Sequence, residues 1–353
     1  MTIISTADEL FDGDLCIDLR RTLGIPLYLK CEGFNFTGSI KIRAAVSMVS
    51  AGIQQGLITR DSTIVESSSG NLGVALSVVA AARSLRFVCV TDPKCNPATV
   101  KLMCALGTRV VVAETPDAAG SHLSARKELV RELCRRNAGY VWLNQYENPA
   151  NWIAHYETTA PLIAKQFPEL HVLFVGTGTG GTLTGCSRYF RENRPDVRVV
   201  AVDTVGSVNF GMPAGPRHLP GVGAGERMPL LDAAPVHDLV QVPEQDTVRT
   251  CRCLARQGFL LGGSTGTVVS GAARWLARHD PAGTRTSVAV SADTGERYLD
   301  TVYDDSWVRR TYGALAGLDA LDPPEWLAPP DGPDGLDRLD GLGEPTEDGG
   351  DRP

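Results

Sequence analysis

Gly38-Ser39-Ile40-Lys41 runs without a break into Ile42-Arg43-Ala44-Ala45-Val46-Ser47-Met48. That pattern predicts a helix opening at the lysine and carrying an apolar face, with Asn35, Thr37 and Ser39 as candidate caps. A lysine so placed can be buried, lowered in pKa and used as an amine. Protein amines do covalent chemistry by forming a Schiff base with a carbonyl, and pyridoxal phosphate (PLP) is the usual carbonyl partner. The same residues also fit a capped helix with one surface lysine, so Lys41 is a candidate catalytic centre that needs support from elsewhere in the chain.

Around this stretch, strand-like runs alternate with helical ones. Leu15–Leu19 and Pro26–Lys30 read as two short strands before the Lys41 helix. Further strands are expected at Thr63–Glu66, Phe87–Val90, Arg109–Val112, Val172–Val175, Val199–Val202 and Ser287–Val290, with Ala-rich helical stretches such as Leu72–Arg83 and Ala98–Leu106 between them. The alternation predicts an α/β fold of parallel sheets covered by helices on both faces, and the length fits two such units.

Open parallel sheets bind ligands beyond the carboxyl ends of their strands, so the turns that follow strands decide the function. Ser67-Ser68-Ser69-Gly70-Asn71 joins the strand ending at Glu66 to a helix beginning near Leu72. Its hydroxyls and backbone N–H groups at a helix N-terminus suit a carboxylate, although one Ser or Asn is enough for an ordinary cap. Gly176-Thr177-Gly178-Thr179-Gly180-Gly181-Thr182 follows Val172-Leu173-Phe174-Val175 and can wrap a phosphate. Its spacing also matches GxGxxG, with Asp203 closing the next strand, so a nicotinamide-dependent oxidoreductase competes at this point. Gly262-Gly263-Ser264-Thr265-Gly266 is a third such turn, near Asp293-Thr294-Gly295-Glu296-Arg297-Tyr298.

The composition narrows the class. With 353 residues, 43% hydrophobic and 21% charged, the chain is expected to be a globular protein able to bury two cores. No run approaches a membrane span or a signal peptide, so a cytoplasmic enzyme is expected. The nine cysteines contain no CxxC pair, and Cys31, Cys89, Cys104 and Cys186 read as buried reduced thiols; with few scattered histidines, no metal site is expected. Residues 319–353 hold eleven acidic and two basic residues, a net −9 within a chain of −7, which leaves +2 for the rest. That acidic tail is expected to be disordered. Neither nucleic acid nor membrane is an expected partner.

Taken in order, GS-x-K, S-S-G-N, the G-T-G-G-T loop, G-S-x-G and D-T-G-E-R-Y-L resemble the cysteine synthase and cystathionine β-synthase family, the fold-type II PLP enzymes. The resemblance runs from Pro26 to Arg310. It implies two three-layer α/β/α domains with largely parallel sheets and PLP in the cleft between them. Residues 1–35 and 149–318 would form the larger, phosphate-binding domain and residues 36–148 the smaller, and a homodimer is implied. On this reading Lys41 holds PLP and moves protons, and Asn71 hydrogen-bonds its ring oxygen. Gly178, Thr179, Gly180, Gly181 and Thr182 hold the phosphate, and Ser264 meets the pyridine nitrogen. Ser68, Ser69, Gly70, Asn71 and Leu72 grip the substrate carboxylate. A neutral hydroxyl at Ser264 would not stabilise a protonated ring, which favours loss of a β-leaving group.

Softer matches at Glu66-Ser67-Ser68-Ser69-Gly70-Asn71-Leu72-Gly73, Thr91-Asp92-Pro93-Lys94, Pro116-Asp117-Ala118 with Arg126 beyond, Asn144-Gln145-Tyr146, Gly206-Ser207-Val208 with Phe210-Gly211, and Tyr298-Leu299-Asp300 resemble the members that join an activated serine to glutamate on the way to 2,3-diaminopropionate in siderophore pathways. The implied substrates are O-phospho- or O-acetyl-L-serine with L-glutamate as nucleophile, Arg126 and Tyr146 pairing its carboxylates. Sulfide, as in a cysteine synthase, is the alternative. The chain departs from the family at Ile42, where Asp is common, at Leu72 and at Gly181, where the siderophore enzymes tend to have Ser. It also has Arg20-Arg21-Thr22-Leu23-Gly24-Ile25-Pro26 in place of Gly-x-Thr-Pro.

Overall fold

The computed structural model describes residues 4–10, 14–117 and 120–315, so the expected acidic tail lies outside the described residues. The strands in chain order are β1 (Cys16–Asp18), β2 (Tyr28–Cys31), β3 (Thr63–Ser67), β4 (Arg86–Thr91), β5 (Arg109–Val112), β6 (Tyr140–Trp142), β7 (Leu170–Gly176), β8 (Arg198–Thr204), β9 (Asp238–Val242) and β10 (Thr286–Ser291). The helices are α1 (Leu19–Leu23), α2 (Lys41–Gln54), α3 (Asn71–Ala82), α4 (Pro97–Ala105), α5 (His122–Arg136), α6 (Pro149–Ala154), α7 (Ala160–Gln166), α8 (Gly181–Asn193), α9 (Glu244–Arg256), α10 (Gly263–His279) and α11 (Asp305–Tyr312).

The strands form two sheets, ordered β1-β2-β10-β7-β8-β9 and β5-β4-β3-β6. Every pairing is parallel except β1 with β2. Both sheets are covered on both faces, and the period-2 alternation of each strand shows how. In the larger sheet Val172, Phe174, Val200 and Val202 pack on Trp275 and Leu276 of α10. Their neighbours Leu173, Val175, Val199 and Ala201 pack on Leu183, Cys186 and Phe190 of α8. In the smaller sheet Ile64, Phe87 and Cys89 join Met48, Val74 and Val78 of α2 and α3, while Val65, Val88 and Val90 meet Val130 of α5. Strands buried on both sides read as continuous apolar runs, which is why most of them are visible in the sequence.

Two strands are not. β6 has three residues, and β9, at a sheet edge, is half-exposed along most of its length, with Asp238 and Gln241 breaking its apolar run. The cap of α2 also differs from expectation. Ile40 stands at the N-cap with no side-chain cap, because the segment before it is pinned to the end of β10: Ile40 N donates to Ala292 O at 2.7 Å and Ser39 bridges Asp293. Asn35 and Thr37 serve that loop instead, Asn35 Oδ1 accepting from Thr37 N at 2.9 Å and from Thr37 Oγ1 at 2.7 Å. Lys41 is thereby carried on a helix of the smaller unit and fixed against the larger sheet. All nine cysteines are free, and Cys104, expected to be buried, is exposed on α4. Ile42 is buried in the core of the smaller unit, where an aspartate would have no partner in the apolar cluster around it.

Candidate active site

The turn from β7 into α8 is crowded from both sides. A Cβ on Gly178 would lie 2.5 Å from Gly221 O, and one on Gly181 would lie 2.1 Å from Asn151 Oδ1. Gly180 has φ +93°, which an L side chain rarely adopts, and it stands at the N-cap of α8 with no side-chain cap. The first-turn N–H groups of α8 are therefore left to a ligand, and the helix dipole favours an anion there. Two neighbours extend the cradle. Asn151 Oδ1 is buried without a hydrogen-bond partner, and His155 Nε2 lies 3.2 Å from Thr182 Oγ1. Burial, with Lys41 and Arg43 nearby, holds His155 well below the usual histidine range, so its ring is neutral. His155 opens a π-helical turn, His155–Thr159, between α6 and α7, against which Gly185 of α8 packs so closely that a Cβ there would lie 2.7 Å from His155 Cβ and 2.8 Å from Tyr156 N.

Lys41, Asn71, Ser264 and the Gly178–Thr182 turn line one cavity. Lys41 keeps part of its surface open to that cavity, yet the walls desolvate its ammonium and lower its pKa, an effect that Asp293 opposes. A larger neutral fraction makes the amine a better nucleophile and base. Asp293, buried just beyond β10, joins three of the surrounding groups: Ser264 Oγ donates to its Oδ1 at 2.7 Å, and Asn71 Nδ2 and Tyr298 Oη donate to its Oδ2 at 2.8 and 2.6 Å. Arg297 reaches Asn71 Oδ1 and the carbonyl of Thr37. The motif from Asp293 to Tyr298 is plain in the sequence, and its place after a strand marks it; the roles of Asp293 and Arg297 emerge only from these contacts.

The Ser67–Asn71 loop stands across the cleft. Ser68 Oγ is occupied as a cap, accepting from Gly70 N at 3.3 Å and Gly73 N at 3.0 Å. Leu72 turns its side chain into the core, so only its backbone can face a ligand. Ser69 and Gly70 are partly exposed at the loop. Behind the loop lies a buried polar cluster. Glu66 accepts from Trp142 Nε1, Ser67 N and Gln145 N at 3.0, 2.7 and 3.1 Å, and burial still pushes its pKa up to about 7. Tyr146 donates to Ser67 O at 3.1 Å, and burial pushes its hydroxyl up to about 12. Arg126 is buried, its Nη1 ion-paired with Asp92 Oδ2 at 3.0 Å, and its Nε makes no hydrogen bond. Neither Arg126 nor Tyr146 lines the cavity that Lys41 enters; both stand behind the loop. Sequence offers no signal for Lys127, whose Nζ lies 2.6 Å from Glu226 Oε1 and 5.2 Å above the Tyr146 ring.

These residues fit PLP: an anion cradle that excludes Cβ atoms, a desolvated amine, and polar side chains at Asn71 and Ser264. The chain matches the family of pyridoxal-phosphate dependent enzymes over residues 16–293. It belongs to that family. As a pyridoxal-phosphate dependent enzyme it is 41% identical over 295 residues to the N-(2-amino-2-carboxyethyl)-L-glutamate synthase of Ralstonia nicotianae, spanning 82% of this chain and 86% of that protein. The protein of the same name from Cupriavidus metallidurans is 39% identical over 303 residues, covering 83% and 88%. Among solved structures, O-ureido-L-serine synthase superposes with a TM-score of 0.78 at 34% identity, covering 87% of this chain and 99% of that one. The O-acetylserine dependent cystathionine beta-synthase of Helicobacter pylori superposes with a TM-score of 0.78 at 29% identity, covering 85% and 99%. Among the described residues no helix is long and apolar enough to cross a membrane, and no group of three acidic, His or Cys side chains is placed to hold a metal ion.

Proposed function

We propose that the enzyme replaces the β-substituent of O-phospho- or O-acetyl-L-serine with the amine of L-glutamate, giving N-(2-amino-2-carboxyethyl)-L-glutamate for 2,3-diaminopropionate supply in a siderophore pathway. The observation that carries the choice of glutamate is Arg126: a buried guanidinium whose Nε makes no hydrogen bond while its Nη1 pairs with Asp92, beside Tyr146 and directly behind the loop after β3. An unpaired buried donor is costly, and a nucleophile with carboxylates satisfies it where sulfide cannot. The names of the two curated relatives support the same reading.

Bound PLP supplies a carbonyl carbon for amines and a ring that withdraws electrons from the substrate's Cα. The protein supplies the rest. The Gly178–Thr182 turn and the N-terminus of α8 hold the phosphate. Lys41 Nζ would take the Cα proton, and the Cβ–O bond would break with its electrons leaving on phosphate or acetate. The glutamate nitrogen then bonds to Cβ, losing a proton, and Lys41 returns one to Cα. Backbone N–H groups at Ser69–Leu72 hold the serine carboxylate, and Arg126 with Tyr146 orients the incoming glutamate.

Further readings follow the same line. Phe34 and Phe36, 50% and 62% exposed on the segment before Lys41, support a homodimer that covers them. Nine free cysteines support a reducing, cytoplasmic setting. The deciding experiment offers the purified enzyme each serine ester with glutamate and sulfide in competition and follows products by mass. The glutamate adduct is expected; cysteine alone from both esters overturns the reading.

A further inference from the structure

Successive residues of α5 make ion pairs of different kinds. Arg126 Nη1 meets Asp92 Oδ2 at 3.0 Å, and both residues are buried. Lys127 Nζ meets Glu226 Oε1 at 2.6 Å, and Glu226 is partly exposed, on a stretch between β8 and β9 that belongs to no helix or strand. Breaking the first pair would strand a charge away from water, which is costly. Breaking the second costs little, because Glu226 can turn into solvent. Lys127 need not follow it, since its ammonium also lies 5.2 Å over the ring of Tyr146, where cation–π attraction holds it.

This exchangeable pair stands close to the chemistry. Tyr146 packs in one apolar cluster with Ile40, Ala224 and Met228, against Leu123, one turn before Lys127. Ala224 and Met228 flank Glu226 in the chain. Ile40 lines the cavity and leads directly into Lys41. The pair thus rests on the same cluster that forms the Ile40 side of the cavity.

The next step rests on the proposal that glutamate is the nucleophile. Glutamate brings two carboxylates, and each needs a cationic or hydrogen-bonding partner to leave water. Arg126 has its Nε to offer one of them. Tyr146 is uncharged, and its single hydrogen goes to Ser67 O at 3.1 Å. Lys127, over the same ring, is a second cation.

We infer that Lys127 is a specificity-determining residue that exchanges the carboxylate of Glu226 for a carboxylate of the incoming glutamate. Glu226 keeps the ammonium matched in the free enzyme and swings out to solvent when the nucleophile arrives. A nucleophile without a carboxylate, sulfide among them, cannot make the exchange.

The test uses the holoenzyme at saturating serine ester and reads the KM for glutamate, which the two halves of the pair should move in opposite directions. Lys127→Met removes the cation and should raise KM roughly 10- to 100-fold, as loss of a charge-assisted hydrogen bond does, with kcat changed less. Glu226→Gln removes the competing carboxylate and should lower KM about two- to fivefold. An ion pair that only braces the fold would weaken binding when broken from either side. A KM that is unchanged or raised in Glu226→Gln overturns the inference, as does a parent-like KM in Lys127→Met. Should Lys127→Met fail to fold, Glu226→Gln decides alone. A parent enzyme that forms no glutamate adduct overturns the choice of nucleophile as well; one that forms the adduct while both variants shift KM the same way overturns this inference only.

Discussion

The two walls of the cleft are built by opposite means. On the side of the six-stranded sheet, the turn from β7 into α8 is made by leaving side chains out: Gly178 and Gly181 sit where a Cβ would strike Gly221 O or Asn151 Oδ1. On the side of the four-stranded sheet, the wall behind the Ser67–Asn71 loop is made of buried polar side chains, Glu66, Asp92, Arg126 and Tyr146. One wall is intolerant of volume and the other of unbalanced charge. Lys41 belongs to neither, being fixed between them by the loop pinned to β10.

Removing the residue fixed between the walls has the largest effect. Lys41→Ala should lower turnover by roughly 10³-fold or more, since both covalent attachment and proton transfer are lost. Borohydride reduction and peptide mapping of the parent enzyme should place the cofactor on Lys41. A label on Lys30, the buried lysine 3.7 Å from Glu32, or on Lys94 would refute the assignment.

A pair of glycine substitutions breaks the comparison directly. Gly181→Ala forces a methyl group onto Asn151 and should cost about 1 to 3 kcal/mol by overpacking, with weaker cofactor retention. Gly70→Ala, on the other wall, meets nothing within 4 Å at an extended φ of −161° and should change stability by less than about 1 kcal/mol. Denaturant midpoints and equilibrium dialysis of PLP measure both. Equal effects at the two positions would mean that crowding does not distinguish the walls.

Charge on the second wall is tested through Glu66, whose pKa is raised by burial from the ordinary 4.5 to about 7. Below 4.5 the group is protonated whether the chain is folded or not. Between 4.5 and about 7 the unfolded chain ionises while the folded one does not, so stability falls as pH rises through that window, by about 3 kcal/mol in all. Glu66→Gln should remove this slope while lowering stability at acid pH, because its amide nitrogen faces the N–H of Gln145. Urea titrations at several pH values measure it; an undiminished slope in Glu66→Gln would assign the effect elsewhere.

The contrast also explains what the sequence discloses. The wall of glycines is legible because its requirement is local: a strand, a turn without side chains and a helix follow one another between Val172 and Tyr189. Lys41 is legible for the same reason, and so are the strands buried on both faces. The charged wall draws Glu66, Asp92, Arg126 and Tyr146 from separate segments, and nothing local in any of them shows that they meet. Ser264 illustrates the limit within one residue. Its position in a Gly-Gly-Ser turn is plain, but the direction of its hydroxyl depends on Asp293, 29 residues on, which Asn71 also holds from 222 residues away. The expected caps of α2 fail similarly, since Ser39 and Ile40 are claimed by the strand end at residues 292 and 293.

The smallest effect sharpens the comparison by joining the walls. Lys127, on α5, reaches Glu226, in the segment between β8 and β9, at 2.6 Å, with side chains 13% and 35% exposed. The pair is neither buried nor free in solvent, and Lys127 also lies over the Tyr146 ring. Partly exposed pairs contribute little, because water screens them and two long side chains lose freedom in holding one geometry. A double-mutant cycle on Lys127→Met and Glu226→Gln, read by urea denaturation, should give a coupling of about 0.5 kcal/mol that shrinks with added salt. A salt-insensitive coupling above roughly 2 kcal/mol would mean that the pair is desolvated like Arg126 and belongs to the charged wall. No coupling at all would mean that the walls are held together by the pinned Lys41 loop and the Asp293 contacts without help from this pair.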